Sequence, residues 1–261
     1  MEVTVAPSAA EAALTSLYVE PEAPAGPQAW PALHFADVFK IFRSGKADDR
    51  ASGAAGVETV ALRGLTLEIA RGELVAVLGP SGCGKSTFLH LAAGLDEPSA
   101  GDVSAFGTSL AHLDDAGLAA YRAHRTAVIF QSDNLWPGLT AQENVETMLW
   151  LAAIKQPSRA ASDALAAFGL TERRKHRVNA LSGGEQQRVA VAGAAARRAD
   201  LVLADEPTGE LDETNEVVVL EALRELRDAY GATVVVVSHS ARVADFVDRV
   251  IELRDGTVVA S

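Results

Sequence analysis

The sequence predicts an α/β fold with parallel strands, and three apolar runs predict it. Leu74-Val75-Ala76-Val77-Leu78, Leu201-Val202-Leu203-Ala204 and Val234-Val235-Val236-Val237 are continuous rather than alternating, as strands buried on both faces require. Each run ends in glycine-rich or polar sequence, and in open sheets of this class the carboxyl ends of the strands border the ligand crevice. With 261 residues, 48% of them apolar, the chain can bury one large core or a core plus a lobe.

After the first run comes Gly79-Pro80-Ser81-Gly82-Cys83-Gly84-Lys85-Ser86, of the form G-x-x-x-x-G-K-[ST]. A loop that wraps a polyphosphate turns tightly and brings its backbone N–H groups close to the oxygens, which glycine permits at Gly79, Gly82 and Gly84. Lys85 then reaches the phosphates, the Ser86 hydroxyl meets Mg²⁺, and the following helix aims its positive end at the charge. Phe88, Leu89, Leu91, Ala92 and Leu95 recur at helical spacing, and Gly94 falls where such a helix ends.

The second run delivers Asp205 and Glu206, candidates for the metal shell and for polarising an attacking water. The third ends in Ser238-His239, which puts an imidazole at the same sheet edge, a candidate γ-phosphate contact. Between them, Leu181-Ser182-Gly183-Gly184-Glu185-Gln186-Gln187-Arg188 opens a helical run. Read on its own, Ser-Gly-Gly fits an ordinary helix N-cap as well as an anion site.

Composition narrows the function classes. A formal net charge of −12 opposes long-range attraction to a nucleic acid backbone. The one cysteine, Cys83, excludes an internal disulfide and fits a reducing compartment, the cytoplasm. No stretch approaches the roughly 18 to 20 apolar residues needed to cross a bilayer. Residues 1–31, rich in Ala, Pro and Glu and without the features of a secretory signal, read as a flexible extension, and residues 44–56 as a hairpin loop.

Taken together, the loop at 79–86, Gln131 in Val128-Ile129-Phe130-Gln131, the run at 181–188, Asp205-Glu206, the Leu211-Asp212 turn and His239 resemble, in order and spacing, the motifs of the ATP-binding-cassette (ABC) ATPases. The resemblance covers residues 32–259. It implies a P-loop ATPase core with a mixed, mainly parallel sheet, an N-terminal antiparallel β lobe and an inserted helical lobe at about 132–199, all within an ABC domain spanning 32–261. By the same resemblance the cofactors are ATP and Mg²⁺. Nucleotide contacts fall to Gly79, Pro80, Ser81, Gly82, Cys83, Gly84, Lys85, Ser86, Thr87, Gln131, Asp212 and His239, and, from a second copy of the chain, to Ser182, Gly183, Gly184 and Glu185. Phe42 takes the place of the aromatic that stacks on adenine; Ser86, Gln131 and Asp205 hold the metal; Glu206, His239 and Gln131 serve catalysis.

The implied partners are a second copy and an integral membrane permease at the cytoplasmic face of the membrane, with no nucleic acid. Residues 134–140, including Trp136, lie where family members meet the permease, although a core Trp fits the sequence equally. The segments 94–103 and 204–212 look most like the lipoprotein-releasing and macrolide-export group, which implies an exporter or extractor. Alternatives are a regulatory ABC ATPase signalling through a membrane partner, as in cell-division complexes, and a nucleic-acid-linked one, which the charge disfavours. Three residues depart from that group's pattern: Glu210 replaces Asn, Ser240 replaces Asp, and Gly193 replaces Arg and is expected to weaken its helix relative to Ala. The thiol of Cys83, lying on the phosphate loop, is expected to be shielded by bound nucleotide.

Overall fold

The computed structural model describes residues 30–44 and 57–260. The flexible extension, apart from Trp30 and Pro31, and the hairpin loop, apart from Ser44, lie outside them.

Two long strands, β1 (Leu33–Ser44) and β2 (Val57–Ile69), pair antiparallel and are followed by β3 (Leu74–Leu78), which turns into α1 (Lys85–Ala92). Next come β4 (Ala100–Ala105) and β5 (Thr108–Ser109), then α2 (Asp115–Ala120), a π turn and β6 (Thr126–Ile129). Three helices, α3 (Ala141–Leu151), α4 (Pro157–Ala167) and α5 (Gly183–Arg197), occupy the chain before β7 (Leu201–Asp205), inside the interval 132–199 read as helical. Last are α6 (Glu213–Tyr230), β8 (Thr233–Ser238), β9 (Arg249–Arg254) and β10 (Thr257–Ala260).

The strands form two sheets. One is antiparallel, ordered β2-β1-β4-β5; the other is ordered β10-β9-β3-β8-β7-β6, parallel from β9 to β6 with β10 antiparallel at its edge. The continuous apolar runs are explained by burial on both faces. Leu74, Ala76, Val202, Ala204, Val234 and Val236 face a core shared with α3 to α6, whereas Val75, Val77, Leu201, Leu203, Val235 and Val237 face a core shared with α1 and the antiparallel sheet. Phe88 of α1 stacks on Phe35 of β1 with ring centroids 4.7 Å apart, fixing the antiparallel sheet over the first helix.

Parallel order places four strand ends side by side. Leu78 pairs with Ser238, Asp205 with Val237, and Ile129 with Ala204. The loop after β3, Ser238-His239, Asp205-Glu206 and Phe130-Gln131 therefore leave the sheet at one edge.

Glycines in the loop after β3 answer to packing more than to an open cradle. At Gly79 an added Cβ would strike the Leu253 carbonyl and lie 2.7 Å from Cys83 Sγ. At Gly84, with φ +106°, it would lie 2.5 Å from the Ala61 carbonyl of β2. Only Gly82, φ +80°, faces open space. Gly193 also differs from expectation: a Cβ there would press on Met148 Sδ of α3, so glycine permits helix approach at this point and Ala is not the simple improvement that propensity suggests.

Gly79→Ala is expected to lower the unfolding free energy of the ligand-free chain by about 2 kcal/mol or more, and Gly82→Ala by only about 1 kcal/mol. Urea denaturation of both variants checks this, and equal losses would contradict the packing role of Gly79.

Candidate functional site

Gly84 sits at the N-cap of α1 in a left-handed conformation, without a side-chain cap, and the first turn carries no acidic residue. The leading N–H groups of this helix thus face the loop with a net positive field and no carboxylate to absorb it. Lys85, 7% exposed, folds its ammonium back onto the loop and donates to the carbonyls of Gly79 (2.8 Å) and Pro80 (3.1 Å). Pro80, Ser81, Gly82 and Ser86 are exposed around it, with Thr87 half-buried. The arrangement suits an anion that offers Lys85 better acceptors than its own backbone.

Cys83 corrects one expectation. Its thiol is 4% exposed and packs in the core on the α1 side of the sheet, while its backbone N–H donates to Pro80 and its carbonyl accepts from Gly256. The protein itself already shields the sulfur, so protection by a ligand has nothing to add, and only the backbone of Cys83 belongs to the loop.

Asp205 closes β7 opposite this loop, with the Ser86 hydroxyl beside its carboxylate. Burial pushes the Asp205 carboxyl up and the neighbouring Glu206 carboxylate adds to the rise, while the Ser86 hydrogen bond, His90 and Lys85 pull it down. Oδ1 of Asp205 is buried without a hydrogen-bond partner. An ionisable oxygen left in this way, next to a hydroxyl ligand and under an anion-seeking helix end, has the chemistry of a hard-cation site. Among the described residues no cluster of three or more His, Cys, Asp or Glu forms an alternative metal centre.

Glu206 follows in a left-handed conformation, φ +47°, that costs a non-glycine residue about 1 kcal/mol. Its N–H donates to Val237 (2.9 Å) and its carbonyl accepts from Gly209 (3.1 Å), which hold the bend. Oε2 accepts from Ser238 Oγ (3.1 Å) and from the backbone N–H of His239 (3.3 Å), and lies 3.0 Å from His239 Nδ1. Oε1 takes no hydrogen bond from the described residues and remains to accept from a small donor such as water. With Nδ1–H turned to Glu206, the largely exposed His239 ring directs Nε2 outward.

The remaining predicted residues divide. Gln131, at the end of β6, is exposed with its amide near Gly209. Phe42 is 44% exposed on β1, and Lys40 Nζ lies 5.1 Å from its ring centroid while bonded to Asp96. Its pairing partner Thr59 is two residues from Ala61, where β2 passes Gly84.

Ser182 and Gly183 are exposed, and the glycines meet the approach to α6: Gly183 lies against Leu211 and buried Gly184 against Asn215. No hydrogen bond joins them to residues 79–87 among the described residues. Ser182 caps α5 by accepting from Glu185 N (3.2 Å), and Glu185 returns a carboxylate oxygen to Ser182 N (2.8 Å) while Arg173 holds the other (2.9 Å). The Glu185 side chain, expected among the nucleotide contacts, is thereby occupied within its own helix cap. Asp212 likewise caps α6, accepting from Asn215 N (2.8 Å).

Trp136 is 47% exposed, which settles its two readings in favour of the surface. Two residues were missed by sequence reasoning: Ser238, which grips Glu206, and Gln187, which reaches from α5 to Phe130 and Gln131. Both stand inside quoted motif segments, but nothing in those segments gives the contacts they make. No helix among the described residues is long and apolar enough to cross a membrane.

Comparison with known proteins adds an independent line. The family model described as ABC transporter matches residues 62–209. An uncharacterized ABC transporter ATP-binding protein of Thermotoga maritima is 41% identical over 228 residues, covering 87% of this chain and 93% of that one. The lipoprotein-releasing system ATP-binding protein LolD of Bacteroides thetaiotaomicron is 42% identical over 76% of this chain and 91% of its own. The macrolide export ATP-binding/permease protein MacB of Rhodopseudomonas palustris is 48% identical over 80% of this chain, which spans only 32% of that longer protein. Among solved structures, the dimeric post-hydrolysis state of the cassette MJ0796 bound to ADP and Pi superposes with a TM-score of 0.76 at 36% identity, covering 87% of this chain and 97% of that one.

The raised Asp205 carboxyl has a measurable consequence. Such a group holds its proton longer in the folded chain than in the unfolded one, so stability falls as pH rises above the unfolded value of about 3.9 and the cost persists at neutral pH. Asp205→Asn is expected to raise the melting midpoint of the ligand-free chain at pH 7, with the gain vanishing as pH falls towards about 4. Melting curves across pH test this, and a gain independent of pH would contradict it.

Proposed function

This chain belongs to the ABC transporter family, and on that premise we propose that it is the ATP-hydrolysing subunit of an exporter or extractor, held at the cytoplasmic face of a membrane by an integral membrane permease. The observation that carries the reading is the approach of the Ser86 hydroxyl to Asp205 at the uncapped start of α1, with Asp205 Oδ1 buried and unpartnered. The ABC domain takes in residues 32–261, preceded by an extension over 1–31.

In this reading the triphosphate lies along the loop, taking backbone N–H groups from residues 79–87 and the ammonium of Lys85, which exchanges its two carbonyl partners for phosphate oxygens. Phe42 stacks on the adenine. Ser86 and Asp205, with Gln131, would hold Mg²⁺, which neutralises phosphate charge when bound. Glu206, held by Ser238 and His239 through Oε2, accepts from the attacking water at Oε1. Water oxygen bonds to the γ-phosphorus, the bond from that phosphorus to the bridging oxygen breaks, and ADP and phosphate leave. His239 steadies the γ-phosphate through Nε2 when its ring carries both protons.

Ser182 and Gly183 are exposed and make no hydrogen bond to residues 79–87 of their own chain among the described residues, which supports their use in trans: two copies meet head to tail, and the signature of one closes the nucleotide site of the other. The dimeric state of the similar cassette supports the pairing of two copies. The names of the LolD and MacB relatives support export or extraction, with exposed Trp136 and its neighbours facing the permease.

Glu206→Gln is expected to keep ATP affinity, lose about 100-fold or more in turnover and accumulate as an ATP-bound dimer, read by ATPase assay and light scattering. Turnover at the wild-type rate would remove Glu206 from catalysis. Ser182→Arg should block that dimer in the Glu206→Gln background while leaving ATP binding by the monomer intact, and a dimer that still forms would refute the use of the signature in trans.

A further inference from the structure

We infer that Gln187 is a positioning residue that ties Gln131 to the helix bearing Ser182-Gly183-Gly184, so that the two halves of the nucleotide machinery carried by one chain move together. The Gln187 side chain is 5% exposed and lies on α5, five residues beyond the Ser182 cap. Its amide nitrogen donates to the carbonyls of Phe130 (3.1 Å) and Gln131 (2.6 Å), and its oxygen accepts from Asn134 Nδ2 (3.1 Å). Asn134 in turn grips Phe130 twice, accepting from its N–H (2.7 Å) and donating to its carbonyl (2.6 Å).

Both amide hydrogens of Gln187 are therefore committed to the backbone that leaves β6, one residue beyond the pairing of Ile129 with Ala204. The clamp takes hold of Gln131 by its main chain and leaves the side chain of Gln131 for the site. A rotation of α5 thus displaces the Gln131 backbone without passing through the sheet. Interdigitated polar contacts of this kind have two arrangements, made or broken, rather than a graded response.

The inference rests on the reading above, in which Gln131 serves the nucleotide on its own chain and Ser182 the nucleotide on the second copy. Under it, Gln187 is a direct side-chain link between the segment that serves a chain's own ATP and the helix that serves its partner's. An aliphatic side chain at 187 would fill the space but release both carbonyls.

The test is ATP hydrolysis and ATP binding by the full chain carrying Gln187→Leu, Gln131→Ala or both. Gln187→Leu is expected to lower kcat about tenfold with ATP affinity within about twofold of wild type, and the double variant to turn over no more slowly than Gln131→Ala alone, since one residue acts through the other. Additive losses in the double variant, or an effect of Gln187→Leu on affinity alone, overturn the inference. If Gln131→Ala itself hydrolyses at the wild-type rate, the assigned role of Gln131 fails as well, which separates that failure from the failure of the clamp. Should Gln187→Leu melt early, Gln187→Met, which keeps length and volume, carries the same expectations.

Discussion

The site depends on backbone passing against backbone at the turn from β3 into α1. Gly79 lies on the Leu253 carbonyl and Gly84 on the Ala61 carbonyl, so the loop is seated between β9 and β2 before any ligand arrives. Those contacts aim the start of α1 and set Ser86 beside Asp205. A methyl group at either glycine would lever the helix away from the strand ends it serves. The parallel register then does the rest, because β3, β8, β7 and β6 discharge their functional residues at neighbouring positions on one edge.

Charge at that edge is arranged to be incomplete. Lys85 is nearly buried and donates only to carbonyls, Asp205 has an oxygen without a donor, and α1 starts without a side-chain cap. Each would be a defect in a purely structural turn. By contrast, α3, α5 and α6 all begin with side-chain caps, Thr140, Ser182 and Asp212.

Much of this was legible in the sequence. Unbroken apolar runs gave the doubly buried strands, and G-x-x-x-x-G-K-S fixed the loop, since both signals are local and periodic. The antiparallel sheet and the helical segment between β6 and β7 came from the family resemblance instead. What stayed hidden is what depends on distant pairing. That Cys83 points inward is decided by β9 and α1, not by its neighbours in the loop. The left-handed bend of Glu206 follows from the grip of Val237, whereas the Ser182–Glu185 cap is a local S-x-x-E pattern. Gln187 carries no periodic signal, and its importance comes wholly from meeting Phe130 and Gln131 across 56 to 57 residues of chain.

Burial of the single cysteine has a practical side. Cys83 is the one sulfhydryl in the sequence and is 4% exposed, so the native protein offers maleimide and spin-label reagents almost no target. A cysteine introduced at a surface position such as Trp136 would carry a fluorophore alone, without first removing a residue from the core. The fold thus comes with a blank background for distance measurements by fluorescence transfer or electron resonance, in which opening and closing of the molecule can be followed directly.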